Sequence, residues 1–307
     1  MKKPSLAQMI RAPFLSSIIA PLLAGTLLSV SVQGTFLPLN FLLVLIIGIG
    51  LHAAVNVYND IYDTIQGTDK VNVHRNEASG GSGILLDYPE LMGRMFWVAR
   101  LSLLMALAAT LALSFLVDAR LLPMLWALYL LSAFFSKYYT APPAKLAYRG
   151  WGEVSVWLAF GPMAILIASV SQNLGFHPEI IALMPITGLS TLSILLAGQL
   201  IDLEADQAGG KHGVASRWST KATSIIYLLV QLAIVTNLVY LSLTLPHPAW
   251  LLLLPILPYL LIFPRAASII LKHHQDPGTL KQGAKLTVLL HLAFSILLVA
   301  ALALRLL

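Results

Sequence analysis

Long apolar runs recur along this chain, with polar stretches only a few residues wide between most of them. A helix needs about 20 mostly apolar residues to cross the hydrocarbon core of a bilayer. Nine runs meet that length: Phe14–Val32, Leu37–Asp60, Met95–Val117, Leu121–Tyr139, Glu153–Val170, Ile180–Leu203, Ala222–Leu243, Trp250–Leu271 and Lys285–Leu306. The pattern predicts an all-α, polytopic membrane protein of nine transmembrane helices, forming one domain over residues 1–307. Pro21, Pro162 and Pro185 fall inside spans, where membrane helices tolerate proline if neighbours satisfy the freed backbone groups. Pro255, Pro258 and Pro264 predict a kink in the eighth span. Lys2 and Lys3 before an apolar run resemble the start of a signal peptide. No small-residue cleavage site followed by a polar domain appears, so the run reads as a first membrane helix.

Composition agrees with the pattern. The chain is 58% hydrophobic and 10% charged, against about 25% charged in soluble domains. It has no cysteine, which excludes a disulfide, a thiolate metal site and a thiol nucleophile. The net charge of +6 does not imply a nucleic-acid partner, because the basic residues are scattered between apolar spans. Their placement instead sets orientation. Of 19 Lys and Arg residues, only Arg120 and Arg305 fall on the side opposite the N-terminus. The positive-inside rule therefore puts the N-terminus in the cytoplasm, with the polar loops at residues 61–94 and 204–221.

Carboxylates are as unevenly spread. Nine of 13 lie at the ends of the second and sixth spans or in the loops that follow: Asp60, Asp63, Asp69, Glu77, Asp87, Glu90, Asp202, Glu204 and Asp206. At helical spacing His52, Asn56, Asp60 and Asp63 lie at i, i+4, i+8 and i+11 and share a face. Gln199, Asp202 and Asp206, at i, i+3 and i+7, share another, and Glu204 points elsewhere. A single Asp at a helix end reads as a solvated carboxylate. Two such faces at one membrane boundary read as a site, because charge at that depth is costly unless paired or metal-bound. Oxygen ligands of this kind suit Mg2+, which commonly bridges carboxylates to substrate phosphates.

Lys70, Arg75, Lys145, Arg149, Lys211 and Arg217 lie in the same loops. Topology alone explains cations on that side. A diphosphate leaving group also needs such donors to neutralise its developing charge. The stretch Ser79-Gly80-Gly81-Ser82-Gly83 offers backbone N–H groups to phosphate, although such a stretch is more often a linker.

With these motifs in place, the chain resembles the UbiA superfamily of intramembrane prenyltransferases. The first family motif matches Asn59-Asp60-Ile61-Tyr62-Asp63, with Asn56 before it and Asp69 after it. The second matches Asp202-Leu203-Glu204-Ala205-Asp206 followed by Gly210-Lys211. Arg11-Ala12-Pro13-Phe14-Leu15, Gly80 to Gly83, and the stretch from Tyr139 to Glu153 resemble the 1,4-dihydroxy-2-naphthoate polyprenyltransferase branch. Three positions depart from that branch: Gln199 stands in place of an Asn, Gly213 in place of a Thr, and His52 in place of a Gln.

The resemblance implies nine helices around a central cavity that opens to lipid for the prenyl tail. It implies Mg2+ held by Asp60, Asp63, Asp69, Asp202 and Asp206, with Asn56 and Asn59 completing or orienting the ligand shell. Lys145, Arg149 and Lys211 would surround the diphosphate of a polyprenyl donor, and Arg149 and Lys211 would stabilise it as it leaves. A small aromatic acceptor, in menaquinone synthesis 1,4-dihydroxy-2-naphthoate, would then attack the allylic cation. Tyr139 could face that cation, while an interfacial belt is the plainer reading of Tyr138, Tyr139 and Tyr148. Trp97, Trp126, Trp157 and Trp250 read as packing or interface residues. The same diphosphate site would serve 4-hydroxybenzoate, homogentisate, a lipid or a sugar as acceptor, or a cyclisation. A secondary transporter is the reading from another class, but transporters place their ionisable residues near the bilayer midplane.

Overall fold

The computed structural model describes residues 3–73, 81–245 and 248–307; Arg75, Glu77, Ser79 and Gly80 lie outside the described residues. Among the described residues there is no strand, and eight helices are long and apolar enough to cross a membrane. They are α1 (Ala12–Gln33), α2 (Pro38–Gln66), α3 (Pro89–Ser114), α4 (Ala119–Tyr138), α5 (Gly152–Ser171), α6 (Pro178–Ile201), α7 (Thr220–Thr244) and α9 (Pro277–Leu304). Between the last two lies α8, a pair of helices, Ala249–Leu261 and Phe263–Lys272, bent by 46°. The bend falls next to Pro264, as the three prolines of this segment require.

Several expected boundaries move, among them the starts of α3 at Pro89 and α9 at Pro277, and two of the shifts lie at the acidic end. The second span was expected to end near Asp60, but α2 runs to Gln66, with Gly67 at φ 88° closing it. Its last polar residues face a cavity, so their polarity does not end the helix. The sixth span was expected to carry Asp202, but α6 ends at Ile201; Asp202 caps it and starts the short helix Leu203–Ala208. Asp206 therefore stands on a separate element.

The helices α1, α2, α5 and α6 are the most buried, and α3 and α4 the most open to lipid. Trp97, Leu101, Leu104 and Leu130 are accordingly exposed, as expected where the solvent is lipid. In place of hydrophobic exclusion, close packing joins the helices. The helices α5 and α6 meet backbone to backbone at Gly161 and Gly188, where a Cβ on Gly188 would collide with the Trp157 carbonyl oxygen. In α5, a π-helical turn at Ala159–Met163 accommodates Pro162.

The end of the bundle away from the acidic residues is tied by one buried side chain. Gln172 Oε1 accepts from Leu37 N at 2.9 Å, and its Nε2 donates to Leu37 O at 3.3 Å. Asn40 Nδ2 donates to Ser171 O beside it at 2.7 Å. These bonds fix the α1–α2 turn onto the end of α5.

Candidate active site

A cavity of about 300 Å³ runs through the bundle, lined by α1, α2, α4, α5, α6 and the loops at the acidic end. Five of the nine helices line it, and no residue of α3, α7, α8 or α9 does so. Leu22, Ile47, Leu51, Met163 and Ile167 make its walls apolar several turns below the carboxylates.

The last turns of α2 supply the first polar group. His52, Asn56, Asn59 and Asp63 line the cavity, but Asp60 does not. At 3.6 residues per turn, Asn59 lies about 20° to one side of His52 and Asp60 about 80° to the other. Asp60 is thus on the shoulder of the face, buried beneath the next loop. Ser82 N donates to Asp60 Oδ1 at 3.1 Å, while its buried Oδ2 has no hydrogen-bond partner. Asp69 approaches the same loop at Gly81. A Cβ on Gly81 would lie 3.1 Å from Asp69 Oδ1 and 3.3 Å from Asp60 Oδ1, so the two carboxylates converge on the space over Gly81.

Asp63 is the best-connected carboxylate. Its Oδ2 accepts from Lys211 Nζ at 2.6 Å and from Asn59 Nδ2 at 3.0 Å. Its Oδ1 accepts from the Tyr148 hydroxyl at 2.7 Å, and Thr68 Oγ1 lies 2.8 Å from that hydroxyl. Asp206 Oδ1 is 3.8 Å from Lys211 Nζ, and Asn72 Nδ2 donates to Asp202 Oδ1 at 2.9 Å. Burial pushes the Asp206 carboxyl up to about 7, helped by Asp202 and Asp63 and opposed by Lys211. Burial alone would lower Lys211, but Asp63 and Asp206 outweigh it and hold its ammonium well above the usual lysine range. Lys211 stays charged, and the pocket carries more carboxylates than cations.

A second group, spread widely in sequence, fastens the segment that follows Lys211 to the start of α5. Glu153, buried at the start of α5, accepts from Gln199 Nε2 and from Val214 N, each at 2.7 Å. Arg217 closes on its other oxygen at 3.5 Å. Gly213 is required for this contact: a Cβ there would lie 2.5 Å from Gln199 Nε2. The larger Gln199 and the smaller Gly213, the two departures noted in the second motif, thus occupy complementary space.

The remaining sequence candidates separate. Tyr139 lines the cavity, and burial pushes its phenol up, so it remains a neutral hydroxyl. Tyr148 is buried rather than part of an interfacial belt, with Lys145 and Lys211 ammonium groups 5.7 and 5.4 Å from its ring. Tyr138 packs on Phe134 at 5.1 Å under Lys137, as a belt residue would. Arg149 and Glu204 are exposed, and neither lines the cavity. Sequence reasoning missed Glu153, a lone acid opening an apolar span, and the inward placement of Arg11, which lines the cavity.

Among the described residues, no three His, Asp or Glu stand close enough to form a preformed metal cage. The five carboxylates are arranged in smaller sets instead. That suits Mg2+, which takes one or two carboxylates and fills its octahedron with water and substrate phosphate oxygens. The orphaned Asp60 Oδ2 and the excess of carboxylates fit a cation supplied with substrate.

Space that shields a long apolar chain from water, opening beneath groups that manage a released anion, is what a membrane-embedded prenyltransferase requires. Residues 97–289, more than half of the chain, match the UbiA prenyltransferase family, and the chain belongs to that family. It is 26% identical over 295 residues to the 2-carboxy-1,4-naphthoquinone phytyltransferase of Synechocystis, covering 95% of this chain and 90% of the relative. It is 31% identical over 230 residues to the 1,4-dihydroxy-2-naphthoate octaprenyltransferase of Mycobacterium leprae, covering 72% of each. The fold is that of a UbiA homolog from Archaeoglobus fulgidus bound to DMAPP and Mg2+, with a TM-score of 0.58 at 12% identity over 97% of this chain and 99% of that one. The chain is an integral membrane enzyme, a prenyltransferase.

Proposed function

We propose that this prenyltransferase moves a prenyl chain from a polyprenyl diphosphate to a hydroxylated naphthoate, as in menaquinone synthesis. The observation that carries the reading is Lys211, paired to Asp63 and Asp206 at the mouth of an apolar cavity. Both relatives named above act, by their names, on naphthalene-derived acceptors, which favours that acceptor over a benzoate or a lipid.

Asp60 with Asp69, and Asp202 with Asp206, are the residues that would hold Mg2+, which when bound neutralises diphosphate charge. Lys211 would turn from Asp63 to the departing phosphate oxygens. Asn56 and Asn59 would orient the polar head, and Lys145 and Arg149 would serve the approach of the anion from outside the cavity. The bond between the allylic carbon and the phosphate oxygen breaks, and its electron pair leaves with the diphosphate. A ring carbon of the acceptor bonds to that allylic carbon and loses its proton to solvent. Tyr139 presents a neutral ring to the cationic carbon, and Phe135, Phe160 and Met163 on the cavity wall keep water from quenching it. The acidic end, with the N-terminus, would face the cytoplasm.

The test is a product assay on the full-length chain in nanodiscs, with Mg2+, a labelled prenyl diphosphate and a panel of aromatic acceptors. The expected product is a prenylated naphthalene, formed with release of diphosphate. Transfer to 4-hydroxybenzoate in preference to naphthoate would overturn the acceptor, and undiminished turnover in EDTA would overturn the metal.

A further inference from the structure

The proposal concerns the part of the cavity wall formed by Arg11, before α1, and His52 of α2. Arg11 precedes α1 in a left-handed backbone conformation, φ 53° and ψ 52°, which non-glycine residues adopt only rarely. The turn is tied down on both sides. Phe14 N donates to Arg11 O at 2.9 Å, and Asn56 Nδ2 donates to Ile10 O at 3.0 Å. The result is a guanidinium on the cavity wall, stacked on the Phe14 ring at 4.6 Å. No carboxylate pairs with it among the described residues. Arg11 reaches Asp60 electrostatically but makes no ion pair with it, so its guanidinium donors on the cavity wall remain open to an anion that arrives with a ligand.

His52, on the same wall, is more than nine-tenths buried, and its Nδ1 has no hydrogen-bond partner. Its ring meets Phe160 edge to face at 4.9 Å. Arg11 is within electrostatic reach of both His52 and Asp60. A guanidinium and an unpartnered imidazole between the rings of Phe14 and Phe160 suit a flat, aromatic anion better than a diphosphate, which has Lys211 and the carboxylate rim.

We propose that Arg11 binds the carboxylate of the aromatic acceptor, and that His52 hydrogen-bonds a ring hydroxyl of the same molecule. The inference rests on the transferase reading above and gives the acceptor its chemical class, an aromatic hydroxy acid. Arg11 is then a specificity residue: it separates acids from the corresponding uncharged phenols.

The experiment measures binding to the full-length chain by ligand fluorescence, with 1-hydroxy-2-naphthoate, 1-naphthol and 2-naphthoate as probes. The wild-type protein is expected to prefer 1-hydroxy-2-naphthoate over 1-naphthol by ~10-fold to ~100-fold, the range of a charge-assisted pair. Arg11→Gln should abolish that preference, and Arg11→Lys should keep part of it, which guards against a folding defect. His52→Phe should weaken 1-hydroxy-2-naphthoate and leave 2-naphthoate unchanged. KM for the prenyl diphosphate should change less than about twofold in Arg11→Gln, as no donor contact is removed. A preference that survives Arg11→Gln overturns the proposal, as does a raised donor KM, which would assign Arg11 to the diphosphate. Equal losses for both acids in His52→Phe would overturn the role of His52. Binding that behaves as expected in a protein that transfers no prenyl group would leave this site standing and sink the transferase reading alone.

Discussion

Lys211 stands between Asp63 and Asp206 and is the only lysine or arginine in the described second-motif loop that lines the cavity. Removing it takes away the cation that balances two buried carboxylates and, on the proposed mechanism, the donor to the leaving group. Lys211→Ala is expected to lower kcat/KM by ~10²-fold or more, the size found for lost oxyanion donors. Lys211→Arg should retain more, and Glu204→Ala, at an exposed position, should stay within about twofold. Steady-state kinetics on purified variants checks all three. Single residues were legible where their partners were near in sequence. Asp63 was placed by spacing along α2 and Asn59 by the family motif, and their bond joins residues four apart. Tyr148 and Glu153 were not, because their partners Asp63 and Gln199 lie 85 and 46 positions away. Asp60 was placed on the right helix, but the 100° step puts it on the shoulder of the shared face.

Elements were read well in their middles and less well at their ends. Hydropathy finds where a helix is bathed in lipid, and it loses the helix where polar residues turn to an internal cavity, as in the last two turns of α2. It also gave no sign that the loop after α6 is clasped to α5 through Glu153. That clasp makes a sharp expectation. Gly213→Ala should displace Gln199 from Glu153 and destabilise the protein, and Gln199→Asn in the same chain should recover part of the loss. A double-mutant cycle on thermal or denaturant unfolding should show a coupling of about 1–3 kcal/mol between the two positions. At the far end, Gln172→Ala should cost about 1–3 kcal/mol by leaving the Leu37 N–H and C=O unpaired. Because that knot is remote from the cavity, the variant should unfold earlier and keep its kcat.

For the whole molecule, nine apolar runs were enough to predict nine helices, and the bent α8 completes the set. They did not indicate that only five would line the cavity, since a helix packed against protein and a helix packed against lipid are equally apolar. Orientation can be read directly, because the chain contains no cysteine. Single cysteines at exposed Phe176 and exposed Gln207 mark the two ends of the bundle. In intact cells a membrane-impermeant maleimide is expected to label Phe176→Cys and to spare Gln207→Cys. The reverse pattern would invert the bundle and place the acidic loops outside.

The contact between Lys211 and Asp63 also bears on how the enzyme lets go. An ammonium that already holds an internal anion must exchange it for an incoming one, so its attraction for phosphate is a difference between two pairings. On the proposed mechanism, Lys211 would swing back as diphosphate departs and restore its 2.6 Å pairing with Asp63 by a side-chain rotation, faster than a new anion can diffuse in from solution. An enzyme with such a built-in competitor discharges its by-product readily, and added pyrophosphate should inhibit it weakly. Asp63→Asn would remove the competitor's charge and make pyrophosphate a tighter inhibitor, even as turnover falls.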